Sequence, residues 1–340
     1  MKNIKKEKND FIFKYQKGDV NKKLTTYFGN NFKKYRKDFN KTQNYIKTNF
    51  IPDFPLMVSI EFVNRCNLNC IMCYKDHHSE RRAELNISVI DKILKECKNN
   101  GMPSITLGLG SEILLYKDID KVIKMVKKAE IMDVFFATNG VLLNDKIIKS
   151  LVDNKISRLR ISLDAATEET YNKVRRVPVL KKSEININKL IEYRKKKNSY
   201  LPIIRLSYVV MDINKHETEL FIKKWKDKVD YIDFQRFMDH GHIDNLKKLN
   251  KNENKIINNS FCSQPFYSLN IWSDGSVCPC CTFYGKKLVL GNIYKEKLID
   301  IWKGKKLKEL REQIKNKKFN IICQNCLYYR DRKLVKEQFA

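Results

Sequence analysis

From Leu56 onward the chain alternates between short β-rich apolar runs and helical patterns, and this alternation constrains the fold more than any other feature. The apolar runs occupy residues 57–63, 104–109, 134–137, 159–163, 203–210 and 231–237. Between them, apolar residues recur at helical steps over 87–97, 119–129, 146–152, 183–193 and 218–225, the spacing that gathers them on one face of a helix. Six strands in series with helices predict an α/β protein, a parallel sheet with helices outside it. The runs are continuous rather than alternating, as strands covered on both faces are. In such sheets chemistry collects at the carboxyl ends of the strands. There the chain places a cysteine loop after the first strand, 108–112 after the second, 138–140 after the third and 162–164 at the end of the fourth.

The flanks differ in character. Residues 1–50 interleave Phe11, Phe13, Tyr15, Tyr27, Phe28, Phe32, Tyr35 and Phe39 with lysines. Such a segment reads as an N-terminal extension docking an amphipathic helix or arm on the body, with stacking on nucleic-acid bases as the alternative. Residues 51–240 form the core, and 241–261, polar and rich in Asn and Lys, a linker or lid. In the closing region, 262–340, YSLNIWSDGSV carries two β-like runs around Asp274 and Gly275, a hairpin signal. An amphipathic helix over 298–314 then leads to Cys323 and Cys326.

The charge is large but diffuse. Against 39 Asp and Glu stand 68 Lys and Arg, a formal +29 over 340 residues. Most are lysines, spread along the chain among many Asn and Ile residues, which reads as compositional background rather than a nucleic-acid patch. No secretory apolar segment and no run of 18 apolar residues occurs. The ten cysteines are therefore expected to be reduced, in a cytoplasmic protein.

Cysteine spacing carries the chemistry. Cys66, Cys70 and Cys73 lie in IEFVNRCNLNCIMCYK, and three thiolates can hold a four-iron cluster with one iron left open. A structural zinc site is the alternative, with His77 or His78 as a fourth ligand, although zinc sites favour C-x2-C pairs. Cys97 sits alone in a helical pattern and reads as an ordinary buried residue.

With its aromatic neighbour, CNLNCIMCY resembles the CxxxCxxC signature of the radical S-adenosylmethionine (radical SAM) superfamily. The resemblance, spanning about 56–326, implies a partial (β/α)6 TIM-like barrel. It also implies a [4Fe-4S] cluster on Cys66, Cys70 and Cys73 whose open iron binds S-adenosylmethionine. The cofactor then yields a 5'-deoxyadenosyl radical that removes hydrogen from substrate. Carried over residue by residue, Gly110, Ser111 and Glu112 stand where the family has Gly-Gly-Glu and holds the methionine amino group. Ser111 departs from the second glycine, so a hydroxyl contact is expected there. Asn139 and Ser162 match ribose- or methionine-contacting positions, Arg175 an arginine pairing with the methionine carboxylate, Tyr74 an aromatic against adenine, and Val210 an adenine-contacting backbone. Asp164 is open between substrate contact and helix N-cap, with the following TEET favouring the cap. Near the sixth strand end, Gln235, Arg236, Asp239, His240 and His242 are candidates for substrate binding or proton transfer, with Arg236, Asp239 and His240 foremost.

Cys262, Cys280, Cys323 and Cys326 resemble, in order and setting, the superfamily's SPASM/twitch auxiliary-cluster domain, which implies a second [4Fe-4S] cluster with no open iron. Cys278 and Cys281 flank Cys280, which is chosen because it aligns with the family's DGxVxPC pattern. Such a cluster takes the electron left on an oxidised substrate or serves as conduit and clip; zinc on the same residues is the alternative. The expected function is a radical SAM oxidoreductase acting on a small polar substrate, by dehydrogenation or epimerisation of a sugar or cyclitol carbon. A peptide-modifying maturase is the second reading, and a zinc-dependent nucleic-acid-binding protein the reading from another class. The expected reductant is a flavodoxin or ferredoxin.

Overall fold

The computed structural model describes residues 14–16, 18–75, 82–237, 261–282 and 284–328. Their strands are β1 (Lys14–Gln16), β2 (Met57–Ile60), β3 (Ser104–Leu107), β4 (Asp133–Thr138), β5 (Arg158–Ser162), β6 (Ile203–Val210), β7 (Tyr231–Arg236), β8 (Ser268–Ile271), β9 (Ser276–Cys278) and β10 (Gly291–Asn292). The helices are α1 (Val20–Phe28), α2 (Asn30–Gln43), α3 (Tyr45–Thr48), α4 (Ile87–Asn99), α5 (Ile119–Lys128), α6 (Asp145–Asp153), α7 (Glu168–Arg175), α8 (Leu180–Lys196), α9 (Thr218–Trp225), α10 (Leu298–Lys303), α11 (Lys305–Lys315) and α12 (Ile321–Tyr328).

All the strands belong to one sheet, in the order β1-β7-β6-β5-β4-β3-β2-β8-β9-β10. The six expected strands, β2 to β7, run parallel in sequence order. Because β2 does not meet β7, the barrel is partial. The closing region adds to the same sheet: β8 lies parallel to β2, with Ser59 opposite Asn270, and β9 and β10 continue it antiparallel. The hairpin turns where expected, Gly275 adopting φ +85 with its N–H on the Trp272 carbonyl at 2.9 Å. A side chain there would run into the Tyr294 ring.

Strand parity divides the residues between two faces. Leu159 and Ile161 of β5, Ile204 and Leu206 of β6, and Ile232 and Phe234 of β7 pack into the main core with the outer helices. Arg158, Arg160 and Ser162 of β5 take the other, concave face. At its amino-terminal end that face is plugged: Phe32, Tyr35 and Phe39 of α2 cluster with Met57, Ile203 and Tyr231, the first residues of β2, β6 and β7. The aromatics at 32, 35 and 39 are thus the seal on the barrel floor, while Tyr27 is 47% exposed. Cys97 is fully buried in α4.

Three local expectations are corrected. Asp164 does not cap a helix; Thr167 does, its side chain accepting from Thr170 N, and it opens α7, which apolar periodicity does not announce. The helix expected over 298–314 is two, α10 and α11, separated by Gly304 in extended conformation (ψ 157). The first strand ends at Ile60 rather than Val63, with Glu61 N–H still bonded to the Ile271 carbonyl of the parallel neighbour β8 at 2.8 Å. The expected linker over 241–261 lies outside the described residues except for Phe261.

Candidate active site

The cysteine loop leaves the carboxyl end of β2 and is pinned from beneath by the end of α7. Asn69 N–H meets the Arg175 carbonyl at 3.3 Å, and Ile71 N–H the Val174 carbonyl at 2.9 Å. Within the loop, Cys73 N–H donates to the Cys70 carbonyl at 3.1 Å, a tight turn that brings both thiols to one side. Cys66, Cys70 and Cys73 are all half-buried. Burial pushes the Cys66 thiol up to about 12, and the negative field of Glu112, Cys70 and Cys73 adds to the effect against a backbone donor at Leu68. Burial raises Cys73 as well. Burial thus favours the protonated form of Cys66 and Cys73 until a metal displaces the proton. His77 and His78 lie outside the described residues.

The strand-end residues converge on this loop. Glu112, 2% exposed, accepts from Thr138 Oγ1 at 2.7 Å, Asn139 N at 2.8 Å and Leu114 N at 3.0 Å. Burial nonetheless outweighs these donors and raises its carboxyl above the usual range. Asn139 Nδ2 reaches Asn67 Oδ1 in the cysteine loop at 2.8 Å. The Ser111 hydroxyl donates to the Val63 carbonyl, so it ties the turn to the backbone that follows β2. A side chain at Gly110 would come within 3.3 Å of the Tyr74 hydroxyl, which puts Tyr74 beside this turn. Ser162 Oγ lies 3.3 Å from Ser207 Oγ at the top of the concave face, and Val210 ends β6 with its side chain in the core.

Arg175 is neither solvated nor idle. It is 7% exposed, pairs with Asp164, and donates from Nη1 to Cys70 Sγ at 3.3 Å. Asp164, with φ +63, also accepts from Val209 N at 2.6 Å. One side of the guanidinium therefore faces a carboxylate and another a ligand-type thiol. Gln235 Nε2 donates to Asp233 Oδ2 at 2.6 Å. Arg236 ends β7, and its side chain, like Asp239, His240 and His242, is outside the described residues.

A second cysteine group surrounds a small recess lined by Cys262, Cys280, Cys323 and Cys326 with Pro265, Leu310 and Ile314. Asn320 holds the start of α12, accepting from Cys323 N at 2.9 Å, and the helix carries Cys323 and Cys326 one turn apart. Burial raises Cys280 well above a free thiol, with Cys262, Cys326 and Cys281 adding to it, and pushes Cys323 up to about 12. Gly285 lets the chain pass Cys280, whose Sγ would lie 2.2 Å from a Cβ there. Cys278, by contrast, is fully buried with Leu109 and Trp272, and Cys281 packs against that cluster. Among the described residues, no three His, Cys, Asp or Glu side chains gather tightly enough to hold a single metal ion.

Sequence reasoning missed two features. Lys75 and Glu61 form a buried ion pair beneath the cysteine loop. Arg160, Arg205 and Asp233 meet on the concave face. For the latter a signal existed: RLRIS alternates charged and apolar residues, the period of a strand with one polar face.

A parallel partial barrel with three thiols at its carboxyl edge and a four-thiol recess at its flank defines an α/β protein of iron–sulfur type. More particularly, the chain belongs to the radical SAM superfamily, in the group with a C-terminal SPASM domain. Residues 60–223 match the radical SAM superfamily, and residues 262–327 match its iron-sulfur cluster-binding domain, SPASM. The superfamily is one of iron–sulfur enzymes, and the two matches bring with them a [4Fe-4S] cluster with S-adenosylmethionine and an auxiliary cluster. Among curated relatives, GTP 3',8-cyclase of Clostridium perfringens (strain SM101 / Type A) is 30% identical over 200 residues, 57% of this chain and 59% of that one. The corresponding protein of strain 13 is 32% identical over 163 residues, 46% and 48%. The chain thus spans about half to three fifths of the length of these relatives. Similar solved structures share the fold: anSMEcpe with bound AdoMet (TM-score 0.57, 18% identity, 76% of this chain and 80% of that), Streptococcus suis SuiB bound to the precursor peptide SuiA (0.55, 18%, 83% and 70%), and BtrN with AdoMet and 2-DOIA (0.51, 18%, 77% and 87%). Among the described residues no helix is long and apolar enough to cross a membrane.

Proposed function

We propose that this protein abstracts hydrogen from a small polar substrate held in the barrel and oxidises or epimerises it at a hydroxyl-bearing sugar or cyclitol carbon. The observation that carries this reading is the polar cluster of Arg160, Arg205, Asp233 and Gln235 on the concave face, set between the α2 aromatics at the amino-terminal end of the sheet and the cysteine loop at its carboxyl end. Such a surface suits a compact polar group. The donor sets fit the expected clusters in kind, soft thiols numbering three at the loop and four at the recess. In this reading Cys66, Cys70 and Cys73 hold the first cluster, and Cys262, Cys280, Cys323 and Cys326 the second; Cys278 and Cys281 are turned toward Trp272 instead. When bound, the first cluster with S-adenosylmethionine supplies a 5'-deoxyadenosyl radical, and the auxiliary cluster an acceptor for one electron.

The chain's own residues then position and shield. Arg175, fixed by Asp164, presents guanidinium N–H to Cys70 and to any carboxylate seated beside it. Gly110, Ser111 and Glu112, buttressed by Thr138 and Asn139, form the polar wall on which a methionine amino group is held, with Tyr74, Ser162 and Val210 around the nucleoside. Among the candidates at the β7 end, Arg236, Asp239 and His240 are the groups proposed to bind substrate or move a proton. A flavodoxin or ferredoxin in the cytoplasm supplies the reducing electron.

A peptide maturase is the second reading, favoured by the likeness of fold to SuiB, solved with its precursor peptide. One experiment separates the readings. The anaerobically reconstituted protein is given S-adenosylmethionine and a deuterated panel of cyclitols, amino sugars, peptides and GTP. Deuterium in 5'-deoxyadenosine identifies the class attacked. Absence of reductive S-adenosylmethionine cleavage from the iron-loaded protein overturns the function, and deuterium from peptide alone overturns the small-substrate form.

A further inference from the structure

Buried arginines around the barrel are matched to aspartates. Arg158 forks onto Asp133 with Nε and Nη2 at 2.9 and 3.1 Å. Arg175 pairs with Asp164, and Arg205 with Asp233. Arg160 departs from this pattern. Among the described residues its guanidinium makes no ion pair, its Nε is buried without a hydrogen bond, and its Cζ lies 5.6 Å from the centre of the Phe135 ring.

Register aggravates the imbalance. Arg160 of β5 and Arg205 of β6 are direct partners on adjacent strands, so two like charges stand side by side on one face. Asp233 answers one of them, and its carboxylate is already engaged by Arg205 and by Gln235. Burial and the Arg205 charge draw Arg160 down to about 10, which leaves it cationic at neutral pH. Beside it, Arg205 Nε is also buried without a hydrogen-bond partner among the described residues. A barrel selected for stability alone would fill such positions with apolar residues or a second carboxylate.

The geometry points to an anion-recognition site in the middle of the barrel, in which Arg160, backed by Arg205, receives a carboxylate or phosphate group of the substrate. This rests on the concave face being the substrate-binding surface proposed above, and names the chemistry of what binds there. Arg160 lies two residues below Ser162, so the anion sits about 7 Å beneath the strand ends at the rise of an extended chain. A substrate anchored there by its charged end directs its remaining carbons upward, toward the cysteine loop.

The test uses the full-length, cluster-loaded protein and two probes, inorganic phosphate and acetate, at ionic strength matched with chloride. Calorimetry and thermal unfolding are read for the wild type, Arg160→Met, Arg160→Gln, Arg160→Lys and Arg205→Met. At least one probe is expected to bind the wild type saturably and raise its melting temperature, with binding weakened at least tenfold in Arg160→Met and Arg160→Gln and partly restored in Arg160→Lys. Without probe, Arg160→Met should melt no lower than the wild type, because it removes a charge that has no partner, whereas Arg205→Met should melt lower because it strands Asp233. Binding of phosphate alone marks a phosphorylated substrate, and of acetate a carboxylate. The inference is overturned if neither probe binds saturably, if binding survives in Arg160→Gln, or if the Arg160 variants melt as low as Arg205→Met. Failure of the radical reading shows separately, as absent S-adenosylmethionine cleavage by the wild type.

Discussion

Glu61 and Lys75 form an ion pair with each side chain 1% exposed, where the end of β2 meets the end of the cysteine loop. The second oxygen of Glu61 accepts from Ser273 N at 3.2 Å and Ser273 Oγ at 2.8 Å in the auxiliary hairpin. The Lys75 ammonium also lies 5.1 Å from the Trp272 ring centroid of that hairpin. One buried carboxylate thus ties the first cysteine loop to the hairpin that carries Cys278 and leads into Cys280.

Breaking this pair should be costly. Lys75→Met strands a buried carboxylate and is expected to lose about 3–5 kcal/mol, while the Glu61→Gln/Lys75→Met double variant recovers most of it. Urea unfolding of the cluster-free chain measures both. A double variant as weak as the single one would show that packing, not charge, dominates.

Iron content should divide between the two cysteine groups. Reconstituted wild type is expected to hold about eight irons, about four per cluster. Replacing Cys66, Cys70 and Cys73 by Ala should remove one half, and replacing Cys323 and Cys326 the other. Replacing Cys278 or Cys281 should remove neither. Since burial pushes Cys66 and Cys323 up to about 12, these two thiols give up a proton on ligation. Loading should therefore strengthen with pH, which chelator competition at pH 7 and pH 8 reads directly.

Glu112 makes stability fall as pH rises. Its folded pKa is raised by burial, so above the unfolded value of about 4.3 the unfolded chain has lost a proton that the folded chain still holds. Over that window the slope is negative, up to about 1.4 kcal/mol per pH unit, until pH passes the folded pKa. Glu112→Gln should abolish this contribution. Denaturation from pH 4.5 to 7 should show a flatter profile for the variant, and identical profiles would be inconsistent with a raised pKa.

The floor of the barrel should matter more than its exposed aromatic neighbours. Phe32 is fully buried, and its ring lies 5.9 Å from the Arg158 guanidinium. Phe32→Ala is expected to cost about 3–5 kcal/mol. Tyr27→Ala, at a half-exposed position, should stay within about 0.5 kcal/mol. Thermal unfolding of the pair distinguishes a packed floor from a loosely tethered arm.

Much of the architecture was legible in the sequence because it depends on neighbours along the chain. Apolar periodicity marked β2 through β7 and the helices between them other than α7, Asp274–Gly275 marked the hairpin, and cysteine spacing marked both thiol groups. Other features depend on residues far apart in sequence. Asp164 has the composition of a helix cap, yet Val209 N–H and Arg175 claim its carboxylate from two other elements, leaving the cap to Thr167. Ser111 was expected to face a ligand, yet the Val63 carbonyl lies within its reach. Phe32, Tyr35 and Phe39 announced an anchored extension, but only folding makes them the floor of the barrel, because β2, β6 and β7 begin at the same end of the sheet. Arg160 is the clearest case. Its charge and strand were readable, while its lack of a carboxylate follows from the β5–β6 register, which sets it beside Arg205 and gives the nearby Asp233 to that neighbour. Sequence by itself marked the parallel strands, most of the helices and the two cysteine groups; the tertiary structure alone decided which charges are matched, because buried pairing depends on distances across the sheet.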